Sequence, residues 1–499
     1  MFREYAQYDG LGLADLIRQK EVSPSEVLEA ALERASALNP ELNAIVHTFA
    51  ERARRMAEDV SGEGLFSGVP FLFKDLMDDF AGEPMSMGSL AVKRIPDRHS
   101  ELVRRYMDTG LIPFGKTSTP EFGLTITTEP KAFGPVHNPW KRGYSTGGSS
   151  GGSAAVVAAG IVPMASANDG GGSIRFPAAC CGVFGFKPSR GLTPVGPEFG
   201  EPWEGAVTGH VITRSVRDSA AMLDAVSGPE VGAAYRVARL ERSCLKACAE
   251  DPRPLRIAFS SRPMISTAVH PEALKGLEST VRLLQNMGHK VEEAAPSIDR
   301  NRFWKDFMVV VCAHTAALCH KVRQWGGPEA VRRLEPATRN MAAMGKSLSS
   351  LDFVLAKEGW HGVQLAMGRF LETWDVFLTP TLIGPPAAHG EIPPSPMEEK
   401  LLVAGSWLPG GAFLLKSGLA KPFAAPTLNR MAFTICGNMT GLPGMSLPLH
   451  ETAEGLPLGM LFTGRMGEDA TLFALAGQVE RARPWLHNRP PLAAFSGKP

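Results

Sequence analysis

Apolar positions along this chain fall into short continuous runs that alternate with helical stripes. Near the start, Ser23-Pro24-Ser25-Glu26 has the form of a capping box with proline at the first helical position. Leu28, Ala31, Leu32 and Ala35 then mark one face, and Asn39-Pro40 is expected to end that helix. The segment 1–60 therefore reads as helical. Val69 to Phe73 reads as a buried strand that delivers Lys74 at its end. Glu101 to Asp108 reads as a helix stopped by Gly110, with a strand from Leu111 to Phe114. Farther on, Leu255 to Ser260 reads as a strand, and Leu274, Leu277, Val281 and Leu284 as one helical stripe. Gly288 caps that helix before a strand from His289. Val376 to Thr379 is a further strand, and sheet-like segments resume at Ala432 and at Leu456 to Thr463. The Gly- and Pro-rich stretches 384–396 and 409–426 read as surface loops bordering a site. This alternation predicts an α/β fold, a sheet covered by helices on both sides.

Composition narrows the class. With 499 residues, 44% hydrophobic and 21% charged, the chain can bury a large core. A net charge of +1 gives no general attraction for nucleic acid or an anionic membrane. The first residues do not resemble a secretion signal, and Ala154 to Ala167 is too short and interrupted to span a bilayer. Seven cysteines without a CxxC pair fit free thiols in a reducing cytoplasm. Cys312, His314, Cys319 and His320 crowd one segment, but their spacing matches no zinc pattern and the segment reads as a buried helix. No metal or other cofactor is expected.

The candidate chemistry lies in two glycine-rich serine segments, GGSSGGS (Gly147 to Ser153) and DGGGSIRFPA (Asp169 to Ala178). Hydrolysis of an unactivated acyl bond needs an oxygen nucleophile and backbone N–H groups to bind the charge it creates. A Gly170-Gly171-Gly172-Ser173 run can aim successive amides into one concavity. The base must come from elsewhere in the chain, and Lys74 is the candidate. Two other motifs fit by letter only. Gly110 to Thr117 satisfies GxxxxGK[ST], but Pro113 removes an amide that phosphate binding needs, and a helix rather than a strand precedes it. Gly147 to Gly151 satisfies GxSxG, yet the preceding HNPWKRGYST is unlike the apolar strand of a nucleophile elbow. Cys180 and Cys181 read as buried small residues, because no neighbouring group would stabilise a thiolate.

Taken together, GVPFLFKD (Gly68 to Asp75), GKTSTPEFG (Gly115 to Gly123), NPW (Asn138 to Trp140) and the two serine segments resemble the amidase-signature family. The resemblance extends to Gly437 to Arg465 and is weakest from about 190 to 430. The N-terminal block, the NPW string and the region Lys305 to Cys312 look similar to 6-aminohexanoate-cyclic-dimer hydrolases and general amidases. The resemblance implies one amidase-signature domain over 1–499, with a large mixed twisted β-sheet core covered by helices. Its segments would be 1–60 (helical), 61–225 (signature core), 226–430 (variable, partly pocket-forming) and 431–499 (C-terminal core).

The resemblance also implies site roles. Ser173 lands on the nucleophile, Ser149 on the serine held by a cis peptide, and Lys74 on the lysine base. Gly170, Gly171, Gly172 and Ser173 would supply the oxyanion hole. Asp169 would shape the oxyanion loop, Arg175 would order neighbouring loops by an ion pair, and Ser150 would assist Ser149 or satisfy backbone. Pocket walls are expected near Tyr144, Ser145, Cys312, Trp360 and the loop 405–415, whose apolar content suggests an apolar acyl or aryl group. The substrate would be a small linear or cyclic amide, with no nucleic-acid or membrane partner and a homodimer left open. Two alternatives stand beside this reading. One is a glutaminase subunit acting on aminoacyl-tRNA with partner chains; the other is a non-catalytic binding protein on an amidase scaffold.

Overall fold

Three central strands, β2 (Pro70–Lys74), β4 (Met164–Asp169) and β6 (Thr208–Thr213), are buried at every position. Because successive strand side chains point to opposite faces, unbroken burial requires cover on both. The computed structural model describes residues 2–60, 62–235, 237, 240–265, 267–392, 397 and 421–493. The remaining strands are β1 (Ile45–Thr48), β3 (Ile112–Thr117), β5 (Phe184–Lys187), β7 (Arg256–Phe259), β8 (Lys290–Glu293), β9 (Val376–Pro380), β10 (Gly444–Glu451) and β11 (Pro457–Gly464). All belong to an 11-stranded sheet in the order β1-β3-β2-β4-β6-β5-β10-β11-β9-β7-β8. Pairing is mixed: β2 runs parallel to β3 and β4, whereas β6 is antiparallel to β4 and β5. The expected α/β architecture is therefore present, with one sheet joining strands from both ends of the chain.

Register sets the site. Leu72 of β2 lies beside Ala165 of β4, and the two strands run the same way. Both consequently end on one side of the sheet, which brings Lys74 level with the Asn168-Asp169 end of β4. Phe71 and Phe73 are wholly buried and meet edge to face with ring centroids 5.3 Å apart. Burial of each contributes roughly 1.5–3 kcal/mol and anchors the strand. Leu72 and Lys74 alternate onto the other face.

Several elements depart from the sequence pattern. The first sixty residues contain β1 as well as helices 10–18, 24–42 and 50–58. Pro40 does not stop its helix, which continues to Leu42 and ends on Asn43 in the left-handed region. The proline forfeits a hydrogen bond only in the last turn, while Leu38 and Leu42 are buried. Met431 to Thr434 form a turn leading into a helix (Ile435–Thr440), so no strand begins at Ala432. Ala432 buries as the turn folds back, its carbonyl accepting from the Met264 amide. Of the expected second loop, 421–426 lies in a helix (Lys421–Arg430) that carries Pro426 within it. Residues 409–420 lie outside the described residues. The string Gly110 to Thr117 is a helix stop, Gly110 at φ 87°, followed by β3.

Candidate active site

Lys74 is wholly buried at the end of β2, and its Nζ lies 2.8 Å from Ser149 Oγ and 2.7 Å from Asn168 Oδ1. Both partners are neutral. Burial pulls its amine down from the usual 10.5 to about 7, against the opposing pull of Asp78 and Asp169. The sequence leaves Asp75 as the neighbouring acid, with its side chain turned to the other face. Asp75 instead accepts from the Ser86 amide and hydroxyl and holds the turn that follows. The anion with the largest pull on Lys74 is Asp78, brought back after Met77 turns at φ 69°. Its carboxylate accepts from the Ser166 hydroxyl, and Ser166 Oγ accepts from the Lys74 amide at 2.7 Å. Burial raises the Asp78 carboxyl from 3.8 to about 7.

Ser149 and Ser150 precede a helix (Gly151–Ala158) of small residues, and the Gly148–Ser149 peptide is cis. Gly123 makes room for the Ser149 hydroxyl: a Cβ there would lie 3.0 Å from Ser149 Oγ. The Ser150 hydroxyl donates to the Asn168 carbonyl at 3.3 Å, and its amide donates to the Ser173 carbonyl at 3.3 Å. Ser150 thus ties the two serine segments together through backbone. Ser173 sits one residue beyond Gly172, and its hydroxyl makes no hydrogen bond among the described residues. Ser149 and Ser173 line the same cavity, of about 260 Å³.

The turn between them is held from beneath. Asp169 is wholly buried and accepts from the amides of Gly172 (2.7 Å) and Ile174 (3.1 Å). It also takes Arg175 Nε at 2.9 Å and Asn438 Nδ2 at 2.8 Å. Burial alone would raise its pKa, but the Arg175 guanidinium and these hydrogen bonds hold it well below the usual carboxylate range. Gly172 adopts φ 134°, and a Cβ there would lie 2.4 Å from Thr434 Oγ1. Thr434 in turn donates to the Gly171 carbonyl at 2.7 Å. The Gly172 amide is committed to Asp169, so the expected oxyanion donors narrow to Gly170, Gly171 and Ser173.

The expected pocket residues lie elsewhere. Among the described residues, Tyr144, Ser145, Cys312 and Trp360 do not line this cavity. Ser145 accepts from the Gly147 amide at 3.0 Å and supports the serine loop, and the Lys141 ammonium covers the Tyr144 ring. Trp360 stacks on Phe307, which meets Trp203, and only Trp203 reaches the cavity, so Trp360 is one row behind. Cys312 is buried and its thiol is pushed up to about 12. The loop 405–415 lies outside the described residues. The observed walls are Leu76, Met77, Phe122 and Val207, the segment 198–203, whose Trp203 packs on Gly170, and one face of a helix (Arg300–Arg332). Glu198, Glu201, His314 and Lys321 belong to the same lining, so it is not purely apolar. Sequence reasoning missed Asn168, Asp78, Thr434 and Asn438. Asn168 immediately precedes the second serine segment and Asn438 lies inside the string Gly437 to Arg465, but neither had been assigned a role.

A buried lysine–serine pair beside a second serine on a glycine turn is the arrangement that the resemblance to amidase-signature proteins implies. Comparison with known proteins agrees. The Amidase family model matches residues 26–409, and the chain belongs to that family. It is similar to "Putative amidase AmiC" of Mycobacterium leprae (strain TN), 36% identical over 96% of this chain and 95% of that protein. It is also similar to the 6-aminohexanoate-cyclic-dimer hydrolase of Pseudomonas sp. (strain NK87), 33% identical over 98% of each. Among solved structures, a 6-aminohexanoate cyclic dimer hydrolase complexed with substrate superposes with a TM-score of 0.87 at 30% identity, covering 98% of this chain and 99% of that one. A bacterial aryl acylamidase superposes at 0.84 with 26% identity, covering 99% of each. The protein is an amidase, a hydrolase of amide C–N bonds.

Proposed function

We propose that this amidase works through a serine acyl-enzyme, with Ser173 as nucleophile and a Ser149–Lys74 proton relay. The observation that carries this reading is the buried Lys74 amine, 2.8 Å from Ser149 Oγ and otherwise bonded to a neutral amide. A neutral amine can donate to Asn168 and accept the Ser149 proton. Ser149 then takes the Ser173 proton as Ser173 Oγ bonds to the acyl carbon. The amides of Gly170, Gly171 and Ser173 are the donors available to the oxyanion. Collapse breaks the C–N bond, and Ser149 returns a proton to the departing amine, resupplied by Lys74. Water then attacks the ester, giving its proton to the same relay, and the carboxylic acid leaves as Ser173 recovers its hydrogen.

The substrate best suited to the cavity is a small linear or cyclic amide with an apolar or aminohexanoate-like chain. Leu76, Met77, Phe122 and Val207 support that choice, as does the similarity to cyclic-dimer hydrolases. The test is labelling with a fluorophosphonate followed by peptide mass spectrometry. Label on Ser173, lost in Ser173→Ala and much slowed in Lys74→Met, is the expected result. Label on Ser149 or a cysteine, or full turnover by Lys74→Met, overturns the reading.

A further inference from the structure

The charged part of the cavity wall holds a carboxylate that no cation meets at ion-pair distance among the described residues. Segment 198–204 carries Glu198, Glu201 and Glu204. Glu198 is paired with Lys321 at 3.2 Å and lies 4.0 Å from Arg94. Glu204 has His314 at 3.2 Å and Lys357 at 3.6 Å. Glu201 differs. Among the described residues its hydrogen-bond partner is the Tyr235 hydroxyl, a neutral donor, and no ion pair reaches it. Arg190 and Lys357 act on it only at longer range: Arg190 lies against the Tyr235 ring with its Nε and Nη2 bonded to the carbonyls of Gly205, Asn438 and Met439, and Lys357 sits 3.6 Å from Glu204. A half-buried carboxylate with one neutral donor keeps lone pairs open to whatever enters the cavity.

We propose that Glu201 is a specificity-determining contact for a protonated amine on the substrate, an amide joined to that ammonium by an apolar chain. The inference rests on the amidase reading of the same cavity. Leu76, Met77, Phe122 and Val207 give the cavity an apolar surface that suits a methylene spacer, and Glu201 lines the same cavity for the charged end. The same wall disfavours an anionic end group. A substrate carboxylate would have to separate Lys321 from Glu198, which holds that ammonium through both its carboxylate and its carbonyl. A substrate ammonium displaces no ion pair at Glu201. Ion pairing in a partly dehydrated cavity is worth far more than the same contact in water.

The test compares three anilides of equal chain length at pH 8: 6-aminohexanoyl, heptanoyl and the half-amide of a six-carbon diacid. A second series places the same end groups on the amine half of a simple acetamide. In at least one series the ammonium compound should exceed its neutral counterpart in kcat/KM by about tenfold or more, with the anionic compound poorest. In Glu201→Gln, which keeps size and can still accept from Tyr235, that ratio should fall to near one. Binding of the same compounds to Ser173→Ala by calorimetry gives the identical comparison without turnover, so a failure of the relay is separable from a failure of this proposal. Equal affinities of the ammonium and neutral compounds, or a preference that survives Glu201→Gln, overturn it.

Discussion

Protonation of Lys74 is the sharpest quantity the structure supplies. At its ordinary 10.5, only about one lysine in 3,000 would hold a free amine at pH 7. With burial bringing it to about 7, half do, so desolvation raises the supply of competent base by about three orders of magnitude. For a neutral amide, kcat/KM should therefore rise about tenfold per pH unit below 7 and level off above about 8. Asp78 has been raised to about 7 beside it. The two titrate together, and the observed midpoint belongs to the pair. Asp78→Asn removes the anion that favours the ammonium, so the acid limb should move to lower pH. A flat profile from pH 5 to 9, or a limb that moves upward in Asp78→Asn, refutes the reasoning. Stability carries the same signature. The unfolded chain binds the extra proton of Lys74 between about 7 and 10.5, so this group's contribution rises with pH there and is lost as pH falls through 7. Asp78 acts oppositely: the folded state binds the extra proton between 3.8 and about 7, and that contribution is lost as pH rises through 7. Urea unfolding of Lys74→Met should thus gain on wild type by about 3 kcal/mol more at pH 6 than at pH 9. An equal difference at both pH values would show that the lysine is not desolvated.

Other substitutions separate scaffold from chemistry. Arg175→Met leaves the buried Asp169 carboxylate without its cation and should cost about 3–5 kcal/mol, read by urea unfolding at pH 7. Gly172→Ala meets both a φ of 134° and Thr434 Oγ1; Tm should fall and kcat should drop about a hundredfold as the oxyanion turn shifts. Adding Thr434→Ala should restore part of that loss, since it relieves the contact but not the backbone. Asn168→Leu removes the acceptor that orients the Lys74 amine and should lower kcat about ten- to a hundredfold with KM little changed, measured on a neutral amide.

What the sequence made legible is what depends on short stretches of backbone. Gly170 to Ser173 and Gly147 to Ser150 are each a few residues of permissive chain, and their chemistry follows from local geometry. Lys74 was readable because five buried residues form the strand that ends on it. Strand alternation likewise turned Asp75 away, as found, but could not foresee that the chain doubles back at Met77 and returns Asp78 toward the lysine. The wall formed by segment 198–203 and its facing helix was illegible for a different reason. Trp203 and Trp360 have the same chemistry in sequence, and only the packing of Phe307 between them decides which one a substrate meets. Glu198, Glu201 and Glu204 are equally alike as letters; they diverge because Lys321 and His314 lie on a helix over a hundred residues away in sequence. Reaction chemistry in this fold is thus written into contiguous glycine-rich strings, whereas substrate choice is written into side-chain pairings between distant elements. Engineering should follow the same division: changes confined to the segment 198–204 and its facing helix should alter which amides are cleaved while leaving the pH midpoint set by Lys74 and Asp78 in place.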